Sequence, residues 1–478
     1  MKILYIQQDV FENYGIMILS AVLKKNGHEC DVLVDVLEKD LLGKIRLLSP
    51  DIIGFSITSA RYAWFKNLAE KIKLEIKKPI VVGGPHPTFY PELINKDFVD
   101  FICVGEGEGA VLELLNKLEN GEDITQIRNI LAKKENKIFK NHLRNLIEDL
   151  DSLPFADHEL YTKYNIFNHH NQAVFMTSRG CPYDCTFCFN KKYRELYEGK
   201  GKGYRKRSVS SIIKEIKEAI HNNNNNKINS LVFYDDTFTI GSRDWFKEFS
   251  ERYKQEVNLP FSINARADTI NDEKIKWLKE AGCNSIRVGL ESANPYLRNV
   301  VLKKGLTNEQ LINAIKLIKK YQIKFQIFNM LGVPGETLDT ALETYELNYK
   351  YKPDHAWCSL LQPYPQTEIM EIAKKQKLIK GEYSFEDADN SVFDDLVLVI
   401  DNKNEIVNLQ KLFQFGVTFR IPRRVMKWLI KFRPNKLFEL IFKVNYALGT
   451  KKLDNVSWFY LLWIAIYSMN YIKGSKSS

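Results

Sequence analysis

From its first residues the chain sets short apolar runs against stretches in which apolar residues recur every three or four positions. Residues 3–6, 31–34, 52–56, 80–82 and 101–104 are brief and rich in β-branched side chains, the pattern of strands buried on both faces. Residues 15–25 and 60–76 carry helical periodicity between them. Strands that alternate with helices predict an α/β fold with a parallel, doubly wound sheet of flavodoxin or Rossmann type. Ligands on such sheets bind beyond the carboxyl ends of the strands. Three of those ends are polar or glycine-rich: Ser56-Ile57-Thr58, Gly83-Gly84-Pro85-His86 and Gly105-Glu106-Gly107-Glu108. Residues 127–141 then read as a short hairpin, and 148–167, which contain Pro154, as a linker.

A second alternation starts near Ala173. Its strands are 173–177, 230–234, 261–265, 285–290, 324–330 and 356–361, and its helices include 210–221, 244–254, 272–281, 308–321 and 338–350. Six β/α units in succession predict a partial or full (β/α)6 barrel of TIM type, whose chemistry lies on the loops after the strands. Beyond about residue 400 the alternation stops, and the remainder of the chain is helical, aromatic and basic. The expected organisation is a ligand-binding domain over 1–145, a linker over 146–170, the barrel over 171–385 and a helical C-terminal region over 386–478.

Composition refines this picture in two places. The net charge of +10 is concentrated: from Lys411 onward there are 13 Lys and Arg against 2 Asp and Glu, leaving the rest of the 478 residues nearly neutral. A basic tail on a neutral body suits an acidic partner such as a membrane surface or nucleic acid, or else is a solvated helical face; of the two partners the membrane is expected and nucleic acid is not. Residues 458–472 are apolar and rich in Trp and Tyr but shorter than the ~20 residues a span needs, so they read as an interfacial helix or one packed on the barrel. The asparagine run 222–226 reads as a polar loop insertion. Three of the seven cysteines fall within eight residues. The N-terminal apolar run is too short for a signal peptide, and a large chain with this cysteine usage is expected in a reducing cytoplasm. Cys30, Cys103, Cys283 and Cys358 sit in or beside strand-like runs and read as core.

The clustered cysteines stand in Arg179-Gly180-Cys181-Pro182-Tyr183-Asp184-Cys185-Thr186-Phe187-Cys188, directly after the first barrel strand. Thiolates are soft ligands for iron–sulfur clusters or zinc. Structural zinc takes four ligands, and no second cysteine pair is near; His169 and His170 would have to fold back to supply one. Three thiolates on four irons leave one iron open. This Cys-x3-Cys-x2-Cys spacing, with aromatic Phe187 before the third cysteine, closely resembles the signature of the radical S-adenosylmethionine (SAM) superfamily. The resemblance implies that Cys181, Cys185 and Cys188 hold a 4Fe–4S cluster whose open iron chelates SAM. The cluster's electron then cleaves SAM to a 5′-deoxyadenosyl radical that abstracts hydrogen from a substrate. It also places SAM contacts at successive strand ends: Asp235 and Asp236 for the methionine amino group, Asn264 and Arg266 for the carboxylate, Glu291 and Ser292 for the ribose, and Gly332 and Gly335 for the adenine.

The first domain resembles the cobalamin-binding domain that precedes many radical enzymes of this kind, on the strength of Gly83-Gly84-Pro85-His86-Pro87 and the Gly105-Glu106-Gly107-Glu108 turn. The resemblance implies that Ser56, Thr58, Gly83, Gly84 and Gly105 line the cobalamin nucleotide tail, with glycines admitting close backbone approach. The Asp-x-His-x-x-Gly motif that supplies an axial imidazole is absent, and Phe11 stands where its histidine is expected. Cobalamin is therefore expected without a protein histidine on cobalt, the alternative being that the domain has lost it. His86 is expected among the residues that contact cobalamin, as a loop histidine capping a turn in preference to a cobalt ligand. Methylthiotransferases, which carry a second cysteine triad in this domain, are excluded, since only Cys30 and Cys103 occur there.

Together the two resemblances imply a cobalamin-dependent radical methyltransferase acting on an unactivated carbon of a small or lipid-like molecule, served by a flavodoxin or ferredoxin. The alternatives are a radical oxidative cyclase or rearrangement enzyme and a non-catalytic cobalamin or redox-sensing module. One departure lies in Pro363-Tyr364-Pro365-Gln366-Thr367, where the family often has glycine at the position of Gln366.

Overall fold

The computed structural model describes residues 1–135, 137–222, 228–379, 393, 395–454, 458 and 461. The first sheet comprises β1 (Lys2–Gln7), β2 (Glu29–Val34), β3 (Ile52–Ser56), β4 (Ile80–Gly83), β5 (Phe101–Cys103), β6 (Ile130–Lys134) and β7 (Lys137–Lys140). Its order is β2-β1-β3-β4-β5-β6-β7. The first five strands run parallel, and the β6–β7 hairpin extends the sheet antiparallel from β5. Order reverses between β1 and β3, the switch point at which doubly wound sheets open a ligand crevice.

The helices of this half are α1 (Tyr14–Lys25), α2 (Leu41–Leu48), α3 (Tyr62–Glu75), α4 (Pro85–Phe89) and α5 (Glu108–Asn120). Side chains alternate across a strand, so Ile3, Tyr5 and Val32 bury against α1 and α5, whereas Leu4, Ile6 and Leu33 bury against α2 and α3. Asn13 caps α1 by accepting the Ile16 N–H at 3.2 Å. The segment expected as a linker is folded onto this half: Ala156, Leu160 and Tyr161 join the α1 core, and the Tyr161 hydroxyl donates to Gln7 Oε1 at 2.6 Å. Its α6 (Asn165–His170) leads into the second sheet.

That sheet contains β8 (Gln172–Phe175), β11 (Ser230–Phe233), β12 (Phe261–Ala265), β13 (Cys283–Glu291), β14 (Lys324–Leu331) and β15 (His355–Leu360). They are parallel in chain order, with β8 and β15 as unjoined edges, so the barrel is a partial one. Between β8 and β11, β9 (Ser178–Arg179) pairs antiparallel with β10 (Arg205–Lys206). The helices α7 (Phe189–Leu196), α8 (Val209–Asn222), α9 (Arg243–Glu256), α10 (Asp272–Ala281), α11 (Asn308–Lys320), α12 (Leu338–Tyr351) and α13 (Glu368–Lys375) come next in sequence. A cluster built on Phe233, Phe238, Phe249 and Phe261 fills the space between strands and helices.

The chain then adds α14 (Lys403–Thr418), α15 (Arg423–Leu429) and α16 (Lys436–Asp454). The α14 helix covers the β15 edge, where Gln410 Nε2 donates to the Cys358 carbonyl at 3.0 Å and Gln414 Oε1 accepts the Ala356 N–H at 2.5 Å. Among the described residues no helix is long and apolar enough to cross a membrane. The asparagine run 222–226, apart from Asn222, and the apolar segment 458–472, apart from Trp458 and Leu461, lie outside the described residues.

Candidate active site between the two sheets

The cysteine loop is fixed from several directions. Gly180 has φ +82°, and a Cβ there would lie 2.0 Å from the Gly203 carbonyl oxygen, so a glycine is required where β9 turns into the loop. Arg194 on α7 donates to the carbonyls of Cys181 and Tyr183 and pairs with Asp184. Thr186 donates its N–H to Leu302 O at 3.1 Å and its hydroxyl to Val301 O at 2.8 Å. The sulfurs are not isolated: Asn190 Nδ2 lies 3.6 Å from Cys188 Sγ, and Arg266 Nη1 lies 4.0 Å from Cys185 Sγ. Burial raises all three thiols, Cys188 to about 11, so metal binding must displace protons. The donor set is three soft sulfurs with N–H groups aimed at two of them, which fits an iron–sulfur cluster. Among the described residues no three His, Cys, Asp or Glu side chains converge on a single ion.

The residues expected around SAM divide into two groups. Phe187 packs against the core at the β15 side. Asp236 opens onto a cavity between the two sheets, and enclosure raises its carboxyl above the usual range, opposed by the Asn190 amide. Gly332 (φ +81°) presses against Leu396, whereas Gly335 (φ +82°) faces open space. Asn264 Nδ2 donates to the Asp235 carbonyl at 3.1 Å. Glu291 takes φ +65° at a register shift beside β14, an uncommon conformation for a non-glycine residue, and pairs with Lys304 Nζ at 2.6 Å. Gln366 is likewise left-handed, at φ +66°.

Three expectations need correction. Asp235 is fully buried and its carboxylate accepts the Thr177 N–H at 3.1 Å, the Thr177 hydroxyl at 2.6 Å and the Ser178 hydroxyl; it holds the end of β8 instead of facing a ligand. Ser292 is also fully buried, and its hydroxyl accepts the Asn294 N–H in a turn. The Arg266 guanidinium is not a free fork: it donates to Lys304 O, pairs with Asp268 at 2.9 Å and stacks on Tyr183 at 3.7 Å. That leaves its Nη1 directed at Cys185.

The cavity between the two sheets has a volume of about 310 Å³. Ser56, Gly83, Gly84, Gly105 and Tyr5 line it from the first sheet, and Met176, Arg179, Gly180, Asn190 and Asp236 from the cysteine side. Its size is at the low end of small-molecule pockets, about 300–1,000 Å³, and suits a nucleotide-sized tail better than a whole corrin ring. The Tyr5 hydroxyl is buried on its wall with no hydrogen-bond partner among the described residues, an orphan that a polar ligand would satisfy. The residues thus fit the tail of a corrinoid. Thr58 is exposed and does not line the cavity. His86, 2% exposed, packs at a tilt against the rings of Tyr62 and Tyr90 and lies 3.1 Å from the Ser59 hydroxyl. Burial lowers its imidazole to about 4, so it is a packed neutral side chain and not a cavity ligand.

Sequence reasoning missed the buried charges that join the two halves. Glu106 Oε1 accepts from Arg179 at 3.1 Å and Arg205 at 2.8 Å, and Glu108 Oε1 accepts from Arg179 at 2.6 Å. The Ile147 N–H donates to Glu106 Oε2 at 2.8 Å. The signal was present as two glutamates in a glycine turn; only the fold brings Arg179, two residues before Cys181, opposite them.

Glu336 carries a testable pH dependence. Its Oε2 accepts the Gly332 N–H at 2.5 Å, its Oε1 has no partner among the described residues, and burial pushes the carboxyl up to about 8. The folded chain holds a proton that the unfolded chain releases near pH 4.5. The stabilisation is complete below that pH and is lost as pH rises toward 8. Denaturant melts should show wild-type stability falling relative to Glu336→Gln by on the order of 4 kcal/mol between about pH 5 and about pH 8. Parallel curves for the two proteins would refute it.

Residues 175–347 match the model of the Radical SAM superfamily, and residues 8–115 that of the B12 binding domain. An uncharacterized methyltransferase of Pyrococcus horikoshii is 30% identical over 381 residues, covering 76% of this chain and 79% of that protein. An anaerobic magnesium-protoporphyrin IX monomethyl ester cyclase of Rubrivivax gelatinosus is 29% identical, covering 77% and 67% respectively. In fold, the chain is similar to the cobalamin-dependent SAM radical enzyme OxsB, with a TM-score of 0.71 at 17% identity, covering 99% of this chain and 80% of that one. It is also similar to the radical SAM methyltransferase TsrM of Kitasatospora setae, solved with cobalamin and a 4Fe–4S cluster, with a TM-score of 0.65 at 19% identity, covering 80% and 79%.

Proposed function

Because this chain belongs to the family of radical SAM enzymes that carry a B12-binding domain, we propose that it transfers a methyl group to an unactivated carbon of a small or lipid-like molecule. The observation that carries the reading is the shared cavity, in which the glycine-lined strand ends of the first sheet and the cysteine loop of the second form opposite walls. When bound, the cluster with SAM supplies a 5′-deoxyadenosyl radical and cobalamin supplies a transferable methyl group. Cys181, Cys185 and Cys188 would hold the cluster, and the N–H groups of Asn190 and Arg266 would moderate charge on two of the sulfurs. Asp236, Asn264 and Gly335 would face SAM, and Glu291, paired with Lys304, would stand beside them. Gly83, Gly84 and Gly105 would admit the corrinoid tail, and Tyr5 would donate to it.

Radical SAM enzymes need an electron donor and a substrate; the finer reading here is a flavodoxin or ferredoxin donor, a cytoplasmic chain and a peripheral membrane contact through the basic C-terminal region. The test is anaerobic incubation of cluster- and hydroxocobalamin-loaded protein with SAM and a chemical reductant, with and without extracts. Methyl transfer yields 5′-deoxyadenosine and S-adenosylhomocysteine together. Product of the first kind alone supports the cyclase or rearrangement reading, which the Rubrivivax relative favours. Corrinoid binding without either product would leave only a sensing module.

A further inference from the structure

The C-terminal helices present an apolar face that the barrel does not use. The α16 helix packs inward through Phe438, Asn445 and Leu453, which are 8%, 7% and 1% exposed, and through Gly449, whose missing Cβ makes room for the His355 ring. One residue round the helix, Leu437, Leu440, Val444 and Leu448 recur at helical spacing and are 61%, 58%, 48% and 45% exposed. Just before them in the chain, Trp428 and Phe432 are 60% and 48% exposed and meet edge to face at 5.0 Å. Large apolar side chains scattered singly need no explanation, but a stripe of them marks an interaction surface.

Charge identifies the occupant. The exposed Arg424, Lys431, Arg433, Lys436 and Lys443 lie on or between the same helices, and Glu439 is the one acidic residue between Arg424 and Lys452; Asp339 and Glu346 of α12 are matched by Arg423 and Lys427. Apolar and tryptophan side chains accompanied by lysine and arginine, on helices too short and polar to span a bilayer, match an element that lies in the interface of an anionic membrane. We propose that α15 and α16 dock this protein on an anionic lipid surface, with Trp428, Phe432, Leu437, Leu440 and Val444 entering the headgroup region and these exposed basic residues facing lipid phosphates. This deepens the membrane contact proposed above and stands apart from the radical chemistry, so vesicle binding and 5′-deoxyadenosine release fail independently. It also places the docking face on α15 and α16 themselves, upstream of the apolar segment 458–472.

The experiment is sedimentation of the full chain with vesicles of phosphatidylcholine alone and with about one quarter phosphatidylglycerol. Binding should require the anionic lipid and fall steeply at high salt. Each basic residue near such a surface is worth about fivefold in affinity, so Lys436→Glu with Lys443→Glu should weaken binding by roughly thirtyfold or more. Leu440→Ser with Val444→Ser, both at exposed positions and with circular dichroism expected to match wild type, should weaken it by at least about tenfold. No binding, equal binding to both vesicle types, or binding unchanged in both variants would overturn the proposal. So would a concentration-dependent dimer that the Leu440→Ser, Val444→Ser variant dissolves, because the stripe would then serve a second copy of the chain.

Discussion

Cys185→Ala should give a folded chain that releases no 5′-deoxyadenosine above background under reducing conditions with SAM. Cys185 is only partly buried, so the loss of its thiol should cost stability no more than about 1 kcal/mol, as at sites without a special packing role. The loop that carries it is held by groups the substitution leaves alone, namely Arg194 on two of its carbonyls and Thr186 on Leu302 and Val301. What is lost is one of three sulfur donors, and the carboxylates nearest the cysteines, Glu291 and Asp236, are hard oxygen ligands that replace a soft thiolate poorly. Iron content per chain after anaerobic reconstitution should drop along with product, and circular dichroism should stay the same. Retention of iron and of product by this variant would refute the cluster assignment, whatever the fate of methyl transfer.

Arg179→Met should cost the folded chain about 3 kcal/mol at the junction of the two halves. Arg179 holds Glu106 and Glu108 at once, and the two carboxylates are only 10% and 9% exposed. Removing one partner of a buried ion pair leaves uncompensated charge and costs about 3–5 kcal/mol. Arg205 still reaches Glu106, and Arg179 itself is 21% exposed, so the lower part of that range is expected. Because Glu106 and Glu108 form part of the cavity wall, hydroxocobalamin retained after gel filtration should fall as well. Adding Glu108→Gln to the variant should recover part of the stability, since the unpaired charge is then gone. Melting curves for Arg179→Met that coincide with wild type would show that the clasp contributes nothing.

The strand and helix pattern is legible in the sequence because buried parallel strands must be apolar throughout and the helices between them must be apolar on one face. Residues 261–265 and 272–281 coincide with β12 and α10, and the hairpin expected over 127–141 is β6 and β7. The stretch 148–167 has the look of a linker because Ala156, Leu160 and Tyr161 are spaced irregularly, and their burial against α1 depends on a surface that exists only after folding. Roles assigned by position along the chain are less secure than the elements. Asp235 sits at the end of its strand as expected, yet a carboxylate beside the N–H and O–H donors of Thr177 binds those first. His86 likewise turns inward, where two aromatic rings provide its surroundings.

The three cysteines, their spacing, the glycine-rich strand ends and the basic C-terminal charge are properties of the chain read alone, because covalent neighbours in a tight loop stay neighbours in any fold. What needed the tertiary structure was every relation between groups far apart in sequence: Arg179 against Glu106 and Glu108, Lys304 against Glu291, Arg266 against Cys185, and the cavity between the two sheets. The physical reason is the same throughout. A buried charge or donor takes whichever partner packing brings within reach, and that partner is chosen by how strands, loops and the two sheets meet, which no local pattern encodes.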